Sequence, residues 1–164
     1  MTVESVRLLA PTAPWRLLRQ QKDSTAMALP VSLHVLVVDD DALLRELVSA
    51  RLRASGHSVT EVASGDQAVA ALLAGAGPNM LVTDINMPNS ISGWCLGERF
   101  RSLCPECPII YSSSGAPNPA RMLANSRFIQ KPFHPDELLA VVEQLAATQP
   151  GLHRRLAGAG DTVT

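Results

Sequence analysis

From residue 33 onward, short continuous apolar runs alternate with longer segments in which apolar residues recur every three or four positions. A short continuous run is typical of a strand buried on both faces of a sheet, whereas the three-to-four spacing is typical of a helix with one buried face. Strands are predicted at Leu33–Val38, His57–Val62, Met80–Thr83, Ile109–Ser112 and Arg127–Gln130. Because these strands alternate with helices, we expect a parallel sheet with right-handed crossovers and helices on both faces.

The helical segments carry recognisable start and stop signals. The first has its apolar face at Leu44, Leu47, Val48 and Leu52 and ends at Gly56. The others are predicted to begin at Ser64-Gly65-Asp66, Gly93 and Pro135, and to end at Gly75, Leu103 and Ala147. Pro119–Asn125 has room only for a short helix, so the helix between the last two strands is predicted to be truncated.

The two ends of the chain lack this regular pattern. Residues 1–32 contain three prolines and no sustained helical or strand period, so we expect a disordered leader. Residues 33–147 form the predicted α/β domain, and residues 148–164 are expected to be a loose tail. Because the residues after Ala147 are too few to bury a core, we expect no DNA-binding output domain and an action through protein contacts.

Composition narrows the class of protein further. Hydrophobic residues make up 46% of the chain and charged residues 18%, which is typical of a globular core. A formal charge of −1 offers no attraction for nucleic acid, and no apolar run approaches the ~18 residues that span a bilayer. The three cysteines cannot build a disulfide framework and there is no signal-peptide pattern, so we expect a cytoplasmic protein without nucleic-acid or membrane partners.

Polar residues with complementary chemistry follow the predicted strands. Asp39 and Asp40 follow the first strand, Asp84 ends the third, Ser113 lies at the end of the fourth and Lys131 follows the fifth. In doubly wound sheets ligands bind outside these carboxyl ends. Crowded carboxylates need a cation, and oxygen ligands with water suit Mg²⁺. A lysine and a hydroxyl could then hold phosphoryl oxygens, while Asp84 is placed as a nucleophile that forms an aspartyl-phosphate.

These segments resemble the receiver domain of two-component response regulators. The matching residues are Val37-Val38-Asp39-Asp40, Asp84-Ile85-Asn86-Met87-Pro88, Ser113 and Lys131-Pro132-Phe133, in order within 33–147. The resemblance implies a flavodoxin-like, doubly wound, five-stranded parallel sheet of strand order 2-1-3-4-5, here with a shortened fourth helix. It also implies a phosphoacceptor signalling switch of the stand-alone receiver type.

The resemblance assigns the acceptor and the metal site. Asp84 accepts a phosphoryl group from a histidine kinase or a histidine phosphotransfer protein. Mg²⁺ is the implied cofactor, held by Asp39, Asp40, Asp84 and the Asn86 carbonyl. Lys131, preceding a cis Lys131–Pro132 bond, binds the phosphoryl group.

The resemblance also assigns switching and hydrolysis roles. Ser113 is the implied switch hydroxyl and Phe128 the switch aromatic, although a core role for Phe128 is equally open. Asn86 and Gly115 occupy the two positions that tend to tune hydrolysis, since Asn86 could orient a water and Gly115 leaves the site unshielded. The segment Asn89–Ser92 is one residue longer than usual, so we expect the loop beside Asp84 to differ in shape.

Two other functions stay open on the sequence. A haloacid-dehalogenase-type Mg²⁺ phosphohydrolase also uses a strand-end aspartate, but Leu43 stands where that family has Thr or Val. A degenerate receiver that acts as a constitutive adaptor would have a broken site, whereas every site residue is present here. We therefore expect a protein that is not an enzyme beyond its own phosphorylation and dephosphorylation, with an unidentified downstream protein partner. Homodimerisation is left open.

Two further features have ordinary interpretations. Cys104-Pro105-Glu106-Cys107 has the spacing of a metal-ligand pair, but Cys95 and the four histidines are scattered, so no zinc site is predicted. A redox site would place the pair at a helix start, whereas this pair follows a helix end. We therefore interpret it as an incidental loop. His134 is expected to cap the last helix rather than to donate phosphate, and Asp41 to begin the first.

Overall fold

The computed structural model of the protein describes residues 32–148, in which strands alternate with helices as the apolar pattern predicts. The strands are β1 (His34–Val38), β2 (Ser58–Val62), β3 (Met80–Asp84), β4 (Ile109–Ser113) and β5 (Ser126–Gln130). The helices are α1 (Ala42–Ala54), α2 (Gly65–Leu73), α3 (Gly93–Leu103) and α4 (Pro135–Ala147). The five strands are parallel in the order β2-β1-β3-β4-β5, which confirms the doubly wound, flavodoxin-like sheet.

The sheet carries an apolar layer on each face. Val35 and Val37 of β1 belong to one cluster with residues of α1 and α4, while Leu36 and Val38 belong to a second with residues of α2 and α3. Successive side chains of a strand point to opposite faces, so one short run serves both layers. Strands β3 and β4 are buried throughout, whereas β2 at the edge has no fully buried residue.

The topology places a crevice at the carboxyl ends of β1 and β3. The chain passes from β1 outward to β2 and then crosses back to β3 on the other side of β1. Ligands of such sheets bind where the direction of winding reverses. The residues that follow β1 and end β3 therefore flank the crevice.

The predicted helix starts are confirmed by side-chain caps. Asp41 precedes α1 and accepts hydrogen bonds from the N–H groups of Leu43 and Leu44, and Ser64 accepts one from Gln67 at the start of α2. His134 caps α4 in a reciprocal arrangement with Glu137. These caps satisfy N–H groups that have no partner within the helix, and His134 therefore has the capping role that the sequence predicts.

The segment between β4 and β5 contains a single 3-10 turn, Pro119–Arg121, where the sequence predicts a shortened helix. This segment contains Gly115, Pro117 and Pro119. Proline lacks the backbone N–H that a longer helix needs for its hydrogen bonds. Arg121 ties the turn to α3, because its guanidinium lies 3.5 Å from Glu98 and 5.5 Å from the ring centroid of Trp94. The truncation is thus more complete than predicted.

Two expectations about apolar and sulfur-containing residues are corrected. Leu47, predicted on the buried face of α1, is 49% exposed, and neighbouring Leu43 is 67% exposed. Cys104 and Cys107, interpreted as an incidental loop, form a disulfide, and their Cα atoms lie 5.4 Å apart, within the usual range for a disulfide. No helix within residues 32–148 is long and apolar enough to cross a membrane.

The predicted leader over residues 1–32 and the predicted tail over 148–164 fall outside the described residues, apart from Ser32 and Thr148. Both assignments stay predictions.

Candidate functional site

Three carboxylates meet at the crevice between β1 and β3. Asp39 follows β1 and is 5% exposed, Asp84 ends β3 and is 7% exposed, and Asp40 is open to solvent. One oxygen of each lies within 4.8 Å of the others. At that separation two unit charges repel by about 3.5 kcal/mol for an effective dielectric constant of about 20. A positive charge among the three carboxylates would offset this repulsion.

Lys131 supplies one cation to the cluster. Its Nζ lies 2.8 Å from Oδ2 of Asp39 and 2.9 Å from Oδ2 of Asp84. The lysine follows β5, its N–H donates to the Ser113 carbonyl at 2.8 Å, and the Lys131–Pro132 bond is cis, as the resemblance implies. Its ammonium group thus reaches across the end of β4 to the carboxylates.

Burial and pairing act in opposite directions on the pKa values of Asp39 and Lys131. Burial raises the pKa of Asp39, and the hydrogen bond from Lys131 only partly offsets that rise. Burial by itself would lower the pKa of Lys131, but its bonds to Asp39 and Asp84 outweigh it and the pKa is raised. The pairing thus favours the charged form of Lys131, whereas burial disfavours the charged form of Asp39, which a further cation would stabilise.

The donor set fits a hard divalent cation. Oδ1 of Asp39 accepts from the N–H of Asp41 at 2.9 Å, and Oδ1 of Asp84 accepts from the N–H of Asn86 at 3.1 Å. These bonds orient the carboxylates, and the exposed Asp40 leaves an approach from solvent. Oxygen ligands on one open side match Mg²⁺, which keeps several of its waters. An acidic pocket compatible with Mg²⁺ is therefore present.

Ser113, Asn86 and Gly115 come together beside the carboxylates. Ser113 is the last residue of β4 and is 3% exposed. Its Oγ accepts a hydrogen bond from Nδ2 of Asn86 at 2.9 Å and another from the N–H of Gly115 at 3.2 Å. Three of the four residues assigned to switching and hydrolysis on sequence grounds are thus directly linked.

Phe128 lies apart from that linked group, in the apolar layer. It is half-buried on β5, pairs in register with Tyr111 of β4 and packs against the cluster that contains α2 and α3. This placement accounts for a core role, and a switching role for Phe128 stays a prediction.

The long loop after β3 is anchored on the start of α2. Ser90 Oγ donates to Oδ2 of Asp66 at 2.9 Å and accepts from the Asp66 N–H at 3.3 Å. The carbonyl of Ile91 lies so close to Gly65 that any Cβ at position 65 would collide with it. Glycine at position 65 therefore allows the close approach of this loop to the start of α2. The helix-start pattern in the sequence does not indicate this role.

Sequence reasoning also missed two groups that adjoin the site. Arg45 of α1 donates from Nη1 to the Asp39 carbonyl at 2.7 Å, which braces the turn that carries the acidic pair. Leu43 and Leu47 line an open apolar depression together with Pro132 and Phe133. The sequence does contain a sign of this depression. Leu43 does not share the helical spacing of Leu44, Leu47, Val48 and Leu52, which predicts that its side chain is exposed.

The family model described as "Response regulator receiver domain" matches residues 35–143. The chain belongs to this family. Receiver domains are the signalling switches of two-component systems, and the acidic pocket suits aspartate phosphorylation with Mg²⁺.

Individual relatives agree with the family match. The two-component response regulator ORR6 of Oryza sativa subsp. japonica is 36% identical over 114 residues, covering 65% of this chain and 66% of that protein. The DNA-binding transcriptional regulator NtrC of Salmonella typhimurium is 32% identical over 114 residues, covering 67% of this chain and 24% of that protein. The receiver thus spans from about a quarter to two thirds of the length of these curated relatives.

Solved receiver structures share the fold. A response regulator receiver protein from Sinorhizobium medicae superposes with a TM-score of 0.67 at 30% identity, over 72% of this chain and 97% of that one. The chemotaxis response regulator CheY4 of Vibrio cholerae gives 0.61 at 27% identity, over 70% and 99% of the two chains.

Proposed function

We propose that this receiver is a phosphorylation-dependent switch in which Asp84 takes a phosphoryl group from a histidine kinase or a histidine phosphotransfer protein. The observation that carries the proposal is the Lys131 ammonium bridging Asp84 and Asp39 beside the exposed Asp40. Asp84 alone among the three carboxylates ends an inner strand and has both an ammonium and a neighbouring hydroxyl-bearing strand beside it.

In the transfer, a carboxylate oxygen of Asp84 forms a bond to phosphorus while the bond from phosphorus to the donor's imidazole nitrogen breaks. The Lys131 ammonium would then bind one phosphoryl oxygen, and the Ser113 hydroxyl would donate a hydrogen bond to another. Asp39, Asp40, Asp84 and the Asn86 carbonyl would hold Mg²⁺. When bound, the ion neutralises charge on the transferring group.

The apolar depression beside the site supports a protein phosphodonor. Leu43 and Leu47 are exposed, and Pro132 and Phe133 extend the same surface from the strand end that carries Lys131. Exposed leucines next to an acidic pocket suit a partner helix that buries apolar area while it presents a histidine. Phosphorylation would then act through contacts with an unidentified downstream protein, in the cytoplasm, without nucleic acid or membrane as a partner.

Loss of the phosphoryl group would depend on Asn86 and Gly115. A Cβ at position 115 would meet only Ser113 Oγ, at an ordinary contact distance of 3.7 Å, so larger side chains can be introduced there. With glycine, nothing at this position shields the phosphorus from water or from a partner's histidine. We expect moderate intrinsic dephosphorylation and ready exchange with a phosphotransfer protein.

The proposal is tested by intact mass after incubation with acetyl phosphate, comparing the wild type with the near-isosteric Asp84→Asn variant. We expect the wild type to gain the mass of one phosphoryl group in Mg²⁺ but not in a chelator, and the variant to gain none. Labelling of Asp84→Asn at the wild-type rate would overturn the assignment. Steady release of phosphate from phosphate esters would favour the phosphohydrolase, and no labelling of the wild type would favour the constitutive adaptor.

A further inference from the structure

Asn86 contacts the acceptor carboxylate through its backbone and the switch hydroxyl through its side chain. Its backbone N–H donates to Oδ1 of Asp84 at 3.1 Å, and its Nδ2 donates to Oγ of Ser113 at 2.9 Å. Asp84 and Ser113 lie on the neighbouring strands β3 and β4, whose register pairs Asp84 with Ser112. One residue therefore sets the relation between the carboxylate that receives phosphate and the hydroxyl expected to hold it.

The bonds to Ser113 determine what its hydroxyl can do. A serine hydroxyl has two acceptor lone pairs and one proton to donate. Asn86 Nδ2 and the Gly115 N–H approach the same Oγ and occupy its acceptor sites. The O–H proton is left as the group that can make a new bond, and a phosphoryl oxygen on Asp84 is an acceptor.

We propose that Asn86 is a positioning residue for Ser113, whose amide keeps the hydroxyl oriented as a donor toward the phosphoryl group on Asp84; this rests on the proposed phosphoacceptor function. One N–H of the Asn86 side-chain amide is engaged by Ser113, so the inferred effect of Asn86 on phosphorylation runs through that hydroxyl. The backbone N–H of Gly115 donates the second hydrogen bond to the same Ser113 oxygen, and this bond does not depend on a side chain.

A double-mutant cycle on the full chain tests whether Asn86 acts through the Ser113 hydroxyl or independently of it. The rate constant for labelling by acetyl phosphate in saturating Mg²⁺ is measured for the wild type, Asn86→Ala, Ser113→Ala and the double variant. A neutral hydrogen bond contributes about 0.5–1.5 kcal/mol, so we expect Asn86→Ala to slow labelling by roughly 2- to 12-fold. In the Ser113→Ala background the same change is expected to have no further effect, because the group that it positions is gone.

An equal slowing by Asn86→Ala in both backgrounds, or no slowing in the wild type, would overturn the inference. Failure of the proposed function gives a different result, namely no labelling of the wild type at all. The affinity for beryllium fluoride, a stable analogue of the phosphoryl group, provides a second readout that needs no covalent step. There too Asn86→Ala is expected to weaken binding only when Ser113 is present, and additive losses would contradict the inference.

Discussion

Replacing Lys131 by methionine removes the cation that joins the two buried carboxylates while keeping most of the apolar stem. The Lys131 side chain is 15% exposed and those of Asp39 and Asp84 are 7% and 9% exposed, so all three groups are largely withdrawn from water. Removing one partner of a buried pair costs about 3–5 kcal/mol. Because the open side at Asp40 admits water, we expect Lys131→Met to lower the free energy of unfolding by about 2–4 kcal/mol without Mg²⁺.

A matched control is available on the surface. Arg53 pairs with Glu61 at 3.0 Å, but their side chains are 47% and 34% exposed, so Arg53→Met should cost only about 0–1 kcal/mol. Both variants are compared with the wild type by urea unfolding at pH 7, first in a chelator and then in Mg²⁺. Saturating Mg²⁺ should stabilise Lys131→Met more than the wild type, because the ion takes over the missing positive charge.

The electrostatic account of the site is wrong if Lys131→Met costs no more than Arg53→Met in the chelator. It is also wrong if Mg²⁺ raises the free energy of unfolding of Lys131→Met and of the wild type by the same amount.

Four further outcomes follow from groups outside the site. The Tyr111 hydroxyl is buried without a hydrogen-bond partner among the described residues, and burial raises its pKa to about 12, so Tyr111→Phe should stabilise the fold by about 1 kcal/mol in thermal unfolding. A Cβ at Gly97 would collide with that hydroxyl, so Gly97→Ala should lose stability in the wild type and lose less of it in Tyr111→Phe. Burial lowers the pKa of His57 from 6.5, so the unfolded chain binds more protons and stability should fall as pH drops below 6.5; His57→Asn, which keeps an acceptor, should remove that part of the slope in urea unfolding. Alkylation of the unfolded, unreduced chain should label one thiol, and three after reduction, because Cys104 and Cys107 are bonded; three labelled thiols without reduction would contradict the disulfide.

The sheet could be predicted because each inner strand is a short, continuously apolar run in the sequence. Leu36 and Val38 lie on one face and Val35 and Val37 on the other, so a strand covered on both sides has to be continuously apolar. The site followed from that prediction, since residues directly after parallel strands meet at one edge. The prediction that Asp39, Asp84 and Lys131 lie close together therefore did not depend on their side-chain conformations.

Features that depend on rotamers and on neighbouring elements could not be read in the same way. The bond from Asn86 to Ser113 joins residues 27 positions apart and exists only because two side chains turn toward each other across β3 and β4. Leu47 matches the helical spacing of the apolar face of α1 but is 49% exposed, since spacing alone does not specify which positions neighbouring elements cover. The disulfide after α3 depends on a tight turn that sequence spacing alone does not specify.

Chemical mapping of the phosphorylated residue tests the central claim most directly. The chain is incubated with acetyl phosphate and Mg²⁺ and then reduced with borohydride, which converts an acyl phosphate into an alcohol and leaves free carboxylates unchanged. Peptide sequencing by mass spectrometry should then find the reduced residue at position 84, with Asp39 and Asp40 intact. Reduction at position 39 or 40, or a phosphoryl group that resists borohydride, would contradict Asp84 as the acceptor.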